Sequence, residues 1–93
     1  HVKQQRERYR GRREALWAAF RAAGFRIEHS SAGLYLWATR GESCWQSVSR
    51  LAEVGILVAP GSFYGPAGGD FVRIALTATD ERVTAAVGRL ALL

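Results

Sequence analysis

The hydrophobic residues of this chain recur with two periods, one typical of helices and one typical of strands. Between residues 8 and 24 the apolar positions repeat at the i, i+3, i+4, i+7 spacing of one helix face: Leu16, Ala19, Phe20 and Ala23. Gly24 follows as a stop signal, because glycine readily ends a helix. The pattern predicts a first amphipathic helix that runs through residues 8–24.

Two further segments show the same helical spacing. The first begins at Glu42 or Ser43 and ends at Gly55, and its apolar stripe consists of Cys44, Val48, Leu51 and Ala52. The second follows Thr79, a good N-cap, and has two acidic residues in its first turn, where negative charge favours the helix dipole. Its stripe consists of Val83, Ala86, Val87 and Leu90.

Four segments predict β-strands. Residues 25–30 alternate apolar and charged side chains, as on a half-buried strand. Residues 33–39 are apolar on both faces, which predicts a central strand covered on each side. Residues 56–59 form a short apolar run that indicates a buried strand, and residues 71–77 alternate again. We interpret three of the large aromatic residues as core residues: Trp17, Tyr35 and Trp37.

The last of these strands has an arginine in its middle. Its aliphatic residues share one face, because side chains alternate along a strand: Val72, Ile74 and Leu76. Arg73 lies on the other face, beside Phe71, where the small residues Ala75 and Thr77 leave room for a ligand. A guanidinium matches a carboxylate bidentately, although a solvent-exposed arginine is the commoner case for this pattern. Arg73 is therefore a candidate carboxylate-binding residue.

The predicted order is helix, strand, strand, helix, strand, strand, helix. It indicates an α+β domain with a small, mainly antiparallel sheet of about four strands and helices packed on it. At 93 residues the chain has room for a single domain, residues 1–93. Because it opens directly on a helix, we expect a piece of a longer protein. With no run of ~18 apolar residues and no signal-peptide pattern, we expect a soluble, cytoplasmic protein.

The net positive charge is confined to one segment. Residues 1–13 contain Lys3 and five arginines against Glu7, and six positive charges minus one negative charge equal the whole net charge of +5. This basic arm is able to contact phosphates, so a stand-alone module that binds an acidic ligand or nucleic acid is one alternative. We favour a solvated helix face, because Leu16 and Phe20 continue the same helix into a core.

Catalytic and metal-binding patterns are weak. The loop APGSFYGPAGG, residues 59–69, is rich in glycine but matches neither a Walker loop nor a dinucleotide fingerprint. The histidines, His1 and His29, lie at the terminus and in a predicted turn, and Cys44 is the only cysteine. We therefore expect no catalytic triad and no metal site, and a carboxylate-binding arginine is the chemistry that remains.

Three stretches together resemble a known family: GLYLWAT, LAEVGILVAPGSFYGPAGGDFVRIALTAT and DERVTAAVGRL. They are similar to the C-terminal small domain of the class I/II, fold-type-I, pyridoxal-phosphate aminotransferases, over residues from about Tyr9 to Leu90. The most specific matches occur in the family's order: Gly55, Pro60, Gly61, Tyr64, Gly65 and Arg73. Within that family, these motifs most resemble those of the bacterial succinyldiaminopimelate aminotransferases of lysine biosynthesis.

The resemblance assigns roles to three residues. It implies that Arg73 binds the α-carboxylate of the substrate, and that Tyr64 and Gly65 lie at the active-site mouth. For the parent protein it implies pyridoxal 5'-phosphate as cofactor, and amino-acid and 2-oxo-acid substrates such as glutamate. It also implies a large cofactor-binding domain in the same chain and a homodimer, with no nucleic acid and no membrane.

The family's Schiff-base lysine precedes the matched segment. Lys3 is the only lysine here, and its neighbours do not match the family's lysine motif. We therefore expect no catalytic residue and no bound cofactor in this chain, which should be inactive alone. An amino-acid-sensing domain that uses Arg73 as a carboxylate receptor without chemistry is the remaining alternative.

Overall fold

The computed structural model describes residues 2–29, 35–76 and 78–93. The helices and strands occur in the predicted order: α1 (Val2–Ala22), β1 (Arg26–His29), β2 (Tyr35–Thr39), α2 (Cys44–Glu53), β3 (Ala59–Pro60), β4 (Val72–Ala75) and α3 (Asp80–Leu90). Two short 3₁₀ turns, Gly61–Tyr64 and Pro66–Gly68, connect β3 to β4. The α+β class predicted from the sequence is confirmed.

The four strands form one antiparallel sheet in the order β1-β2-β4-β3. The central position predicted for β2 is therefore correct, since β2 pairs with both β1 and β4. Directly opposite residues of antiparallel strands share a face. Two such pairs between β2 and β4 join the core: Leu36 with Ile74, and Ala38 with Val72.

The core is a single cluster between this sheet face and the helices. The predicted aliphatic face of β4 is confirmed, because Val72, Ile74 and Leu76 are all buried. Each helix contributes buried residues to the same cluster: Leu16 and Phe20 from α1, Cys44 and Leu51 from α2, Val83 and Leu90 from α3. Phe20 and Phe25 meet edge to face, with 5.2 Å between their ring centroids.

Helix α1 starts six residues earlier than the apolar pattern predicts. Its first residues are mostly good helix formers, so the polar segment extends the helix without any apolar stripe. The stop at Gly24 is confirmed by a φ of 95°, a conformation that glycine adopts without strain. Lys3 and most of the arginines in residues 2–13 are exposed, as expected for a solvated helix face.

Helix α2 begins with a capping box. The Ser43 hydroxyl accepts a hydrogen bond from the Gln46 backbone N–H, and the Gln46 side chain accepts one from the Ser43 N–H. Ala52 was predicted in the apolar stripe but is exposed. Ser47 is buried instead, because its hydroxyl is satisfied by donating to Glu42 Oε2 at 2.7 Å.

The third strand differs from its prediction. Strand β3 has only two residues, and Leu57, which was expected inside a buried strand, is 90% exposed. The reason is topological: β3 is an edge strand that pairs only with the start of β4. Strand β4 is also shorter than predicted, and Thr77 lies outside the described residues. His29 ends β1 rather than lying in a turn.

Hydrogen bonds from one arginine link α1 to the residue after β4 and to the start of α3. Arg12 Nε donates to Asp80 Oδ1 at 2.7 Å, and Arg12 Nη1 donates to the Leu76 carbonyl at 3.1 Å. The predicted N-cap of α3 is confirmed, since the Thr79 hydroxyl accepts from the Arg82 N–H. None of the helices in the described ranges has the length and apolar character needed to cross a bilayer.

Candidate functional site

The sheet face opposite the core carries a row of residues that includes Arg73. The strand register places Glu28 opposite Trp37, Trp37 opposite Arg73, and Arg73 opposite Ala59. Because opposite residues share a face, these four side chains project from the same side of all four strands. The site is therefore built on the sheet, with Arg73 on β4 at its centre.

Two aromatic rings contact the Arg73 guanidinium. Its Cζ atom lies 4.0 Å from the centroid of the Tyr35 ring and 4.1 Å from the centroid of the Tyr64 ring. Such cation–π contacts are worth about 0.5–2 kcal/mol each, more when desolvated. They bring two aromatic rings within about 4 Å of the guanidinium carbon.

The donors of Arg73 have no acceptor among the residues that the structure describes. Across the described residues, no carboxylate forms an ion pair with Arg73 and no oxygen accepts a hydrogen bond from it. A half-buried guanidinium without an anion is a ready site for a carboxylate, which it binds through two parallel N–H···O bonds. The carboxylate-binding role of Arg73 stays a prediction, and this geometry leaves its donors available for it.

Trp37 completes an aromatic group around the arginine. Its ring meets the Tyr64 ring edge to face, with centroids 5.6 Å apart and planes at 86°. We call Tyr35, Trp37, Tyr64 and Arg73 the Arg73 cluster. Next to it, a cavity of about 270 Å³ is lined by the aromatic side chains of Trp37, Tyr64 and Phe71 and by Glu28. The Glu28 carboxylate is paired with Arg26 at 2.9 Å.

The prediction that Tyr35 and Trp37 are core aromatics is wrong. Both are half-buried on the face that carries Arg73, and neither packs in the core cluster. The alternation along β2 could have identified them, because it places Tyr35 and Trp37 on the face of the strand that does not carry the buried Leu36. What the sequence lacks is the register that places Trp37 beside Arg73.

The loop of residues 61–69 holds Tyr64 over the sheet. At its base the Gly61 N–H donates to the Phe71 carbonyl at 2.8 Å, and the Cys44 N–H donates to the Gly69 carbonyl at 2.7 Å. Gly61 and Gly68 are in such close backbone contact that a Cβ on either would overlap the other's carbonyl oxygen. The loop is therefore closed tightly at its base.

Two more residues of this loop have roles that the structure clarifies. Gly65, predicted at the mouth of a site, has a φ of 130°, which only glycine adopts readily, and it separates the two 3₁₀ turns. Ser62 lies above the one thiol, with 3.6 Å between Cys44 Sγ and Ser62 Oγ. Cys44 itself is buried.

The residues present do not form a pyridoxal-phosphate site. A lysine is needed to bind that cofactor covalently, and Lys3 is exposed at the start of α1, whereas the Arg73 cluster contains none. Nor do three or more His, Cys, Asp or Glu side chains of the described ranges converge as metal ligands. What the site contains is a half-buried guanidinium among aromatic rings.

Comparisons with known proteins identify the family of the chain. A family model for aminotransferase class I and II matches residues 1–90. The chain is 63% identical over 90 residues to 4-dedimethylamino-4-oxo-anhydrotetracycline transaminase OxyQ of Streptomyces rimosus, a match that covers 97% of this chain and 25% of that protein. It is 67% identical over 90 residues to a probable aminotransferase of Mycobacterium tuberculosis, covering 97% of this chain and 22% of that protein.

A solved structure shows the same fold. It is a probable N-succinyldiaminopimelate aminotransferase from Thermus thermophilus, which superposes with a TM-score of 0.73 at 33% identity, over 88% of this chain and 23% of that one. In all three comparisons the chain spans about a quarter of the relative's length.

Proposed function

The chain belongs to the class I and II aminotransferase family, and from that premise we propose that it is the C-terminal small domain of a pyridoxal-phosphate-dependent aminotransferase. Within it, Arg73 binds the α-carboxylate of the amino-acid substrate. One observation carries this proposal: the Arg73 guanidinium contacts two tyrosine rings yet has no acceptor among the described residues.

The role of this chain is to bind and orient. A bidentate guanidinium–carboxylate pair fixes both the position and the plane of the carboxylate, and so directs the substrate's amino group. In the longer protein, pyridoxal phosphate held by residues outside this chain supplies the chemistry that exchanges an amine for a carbonyl. Because the chain has no suitable lysine, we expect it to show no transaminase activity by itself.

For the substrate we propose N-succinyldiaminopimelate, with glutamate as amino donor, in the synthesis of lysine. The support is the similarity to the succinyldiaminopimelate aminotransferase structure. A relative with higher identity is named for an anhydrotetracycline substrate, so the acceptor has to be tested directly. We also propose a homodimer for the longer protein and a cytoplasmic location.

The chain itself permits a direct test of carboxylate binding. Nuclear magnetic resonance of arginine Nε–H groups during a titration with 2-oxoglutarate should show a saturable shift at Arg73. Arg73→Lys removes that Nε–H group, so binding to this variant is followed through the backbone amide shifts of β4, which should no longer respond because an ammonium cannot reproduce the bidentate fork. Arg50→Lys, which alters an exposed arginine of α2, is the matched control and should leave binding unchanged.

Kinetics of the longer protein test the same role. Arg73→Lys should raise KM for the dicarboxylic amino donor by at least tenfold, since losing one good charge-assisted contact costs about 1.5–3 kcal/mol. Unchanged steady-state constants would contradict the assignment. A reading frame without a lysine-bearing domain upstream would instead favour the amino-acid sensor.

A further inference from the structure

We infer that Tyr64 is a positioning residue for the carboxylate-binding arginine: its ring fixes the plane of the Arg73 guanidinium, so that a ligand must approach along the N–H edges. The inference rests on the proposed function, because it concerns the same guanidinium. It adds a residue that determines how the arginine selects its ligand, which the similarity to the family does not identify.

The contacts of Tyr64 support this role. Its ring centroid lies 4.1 Å from Arg73 Cζ, and its plane is nearly perpendicular to the Trp37 ring. Trp37 in turn faces Arg73 across the β2–β4 pair. Tyr64 is thus held between a residue fixed on the sheet and the guanidinium, although 48% of its surface is exposed.

The loop of residues 61–69 gives Tyr64 a fixed position. Its base is closed by the backbone contact of Gly61 with Gly68 and by the hydrogen bond from Gly61 to Phe71. Tyr64 ends the first 3₁₀ turn, only three residues from that base. A ring carried on so short and closed a segment can hold a long arginine side chain in place.

The arrangement favours carboxylates over spherical anions. The Arg73 Cζ atom lies 4.0 Å from the Tyr35 ring centroid and 4.1 Å from the Tyr64 ring centroid. If these rings lie on the faces of the guanidinium, its donors point along the edge, where two parallel bonds match the two oxygens of a planar carboxylate. Without the Tyr64 ring the side chain regains rotamers, and ordering it costs binding free energy. The Tyr64 ring therefore raises the affinity for the carboxylate by ordering the Arg73 side chain, and not by binding the ligand itself.

The neighbouring residue offers a matched control. Phe63 lies on the same turn and is 69% exposed, but its ring packs against Trp45, at 5.7 Å between centroids. Replacing Phe63 by leucine removes an aromatic ring from the same loop without changing the surroundings of Arg73.

The experiment is the same 2-oxoglutarate titration of the 93-residue chain, with sodium chloride added to constant ionic strength. We expect Tyr64→Leu to weaken binding about fivefold, as for the loss of a cation–π contact. Tyr64→Phe should restore it to within about twofold, since the ring and not the hydroxyl is responsible, and Phe63→Leu should match the unaltered chain.

A measurement on the unaltered chain does not depend on any variant folding. The order parameter of Arg73 Nε–H without ligand should approach the ~0.85 of a rigid backbone, whereas that of the exposed Arg50 should fall below ~0.6. A flexible Arg73, or a Tyr64→Leu chain that folds and binds as tightly as the original, overturns the inference even if Arg73→Lys abolishes binding. Absence of any saturable binding overturns the proposed function as well.

Discussion

Arg12 and Arg73 are both partly buried arginines, but they differ in the hydrogen-bond acceptors that their N–H groups find. Arg12 gives its N–H groups to Asp80 and to the Leu76 carbonyl, and its guanidinium lies 5.7 Å from the Tyr9 ring centroid. Arg73 is stacked by rings and gives its N–H groups to no described atom. At the scale of residues, the first arginine is structural and the second is free to bind a ligand.

Arg12→Leu should lower the free energy of unfolding by about 1–2 kcal/mol, because the Leu76 carbonyl loses its donor and a pair with an exposed partner is lost. Urea denaturation followed by circular dichroism measures the change. Arg10→Leu is the control: Arg10 pairs with Glu14 at the helix surface, with 76% and 71% of the side chains exposed, and its loss should change stability by less than ~0.5 kcal/mol.

At the scale of elements, the loop of residues 61–69 and helix α1 use glycine for different reasons. Gly61 has no room for a side chain, because a Cβ there would overlap backbone oxygens of Gly68 and Phe71. Gly11 lies in the middle of α1, where a Cβ would have nothing within 4 Å. The same substitution should therefore have opposite effects at these two positions.

Gly61→Ala should destabilise the chain by about 1–3 kcal/mol, the usual cost of forcing atoms into a packed site. It should also weaken carboxylate binding at Arg73, because the loop that carries Tyr64 must shift. Thermal unfolding and the 2-oxoglutarate titration report the two effects separately.

Gly11→Ala should raise the free energy of unfolding by about 0.5–1 kcal/mol, since alanine is the better helix former and meets no neighbour there. Carboxylate affinity should stay unchanged. A loss of stability in this variant would mean that the residues around Gly11 are not helical in solution.

At the scale of the whole molecule, the periodic patterns were sufficient for the fold but not for the site. Apolar spacing identified three helices, the aliphatic face of β4 and the central place of β2, because each depends on residues close in sequence. The neighbours of Arg73 depend on the β2–β4 register and on the closure of a loop, which join residues far apart in sequence. The alternation along β2 separates Tyr35 and Trp37 from Leu36, but only these long-range contacts show that their face carries Arg73 and not core residues.

The surface contains an exposed aromatic pair. Trp45 and Phe63 are 54% and 69% exposed and pack against each other at the start of α2 and in the first 3₁₀ turn. Exposed apolar patches promote association. We expect the double variant Trp45→Ser, Phe63→Ser to show less concentration-dependent association in sedimentation velocity than the original chain, whereas Leu92→Ser, which alters an exposed leucine outside this aromatic pair, should not differ.

The position of Cys44 beneath Ser62 makes the thiol a kinetic reporter. It is the single cysteine of the chain, it is buried, and the loop of residues 61–69 lies over it. A thiol reagent can reach it only when the loop lifts or the chain unfolds, so the modification rate counts openings, as hydrogen exchange does for amides. If a carboxylate on Arg73 holds Tyr64 in place, the same ligand should slow the modification of Cys44. One absorbance trace of that reaction would then report both the opening rate of the loop and the binding of the anion.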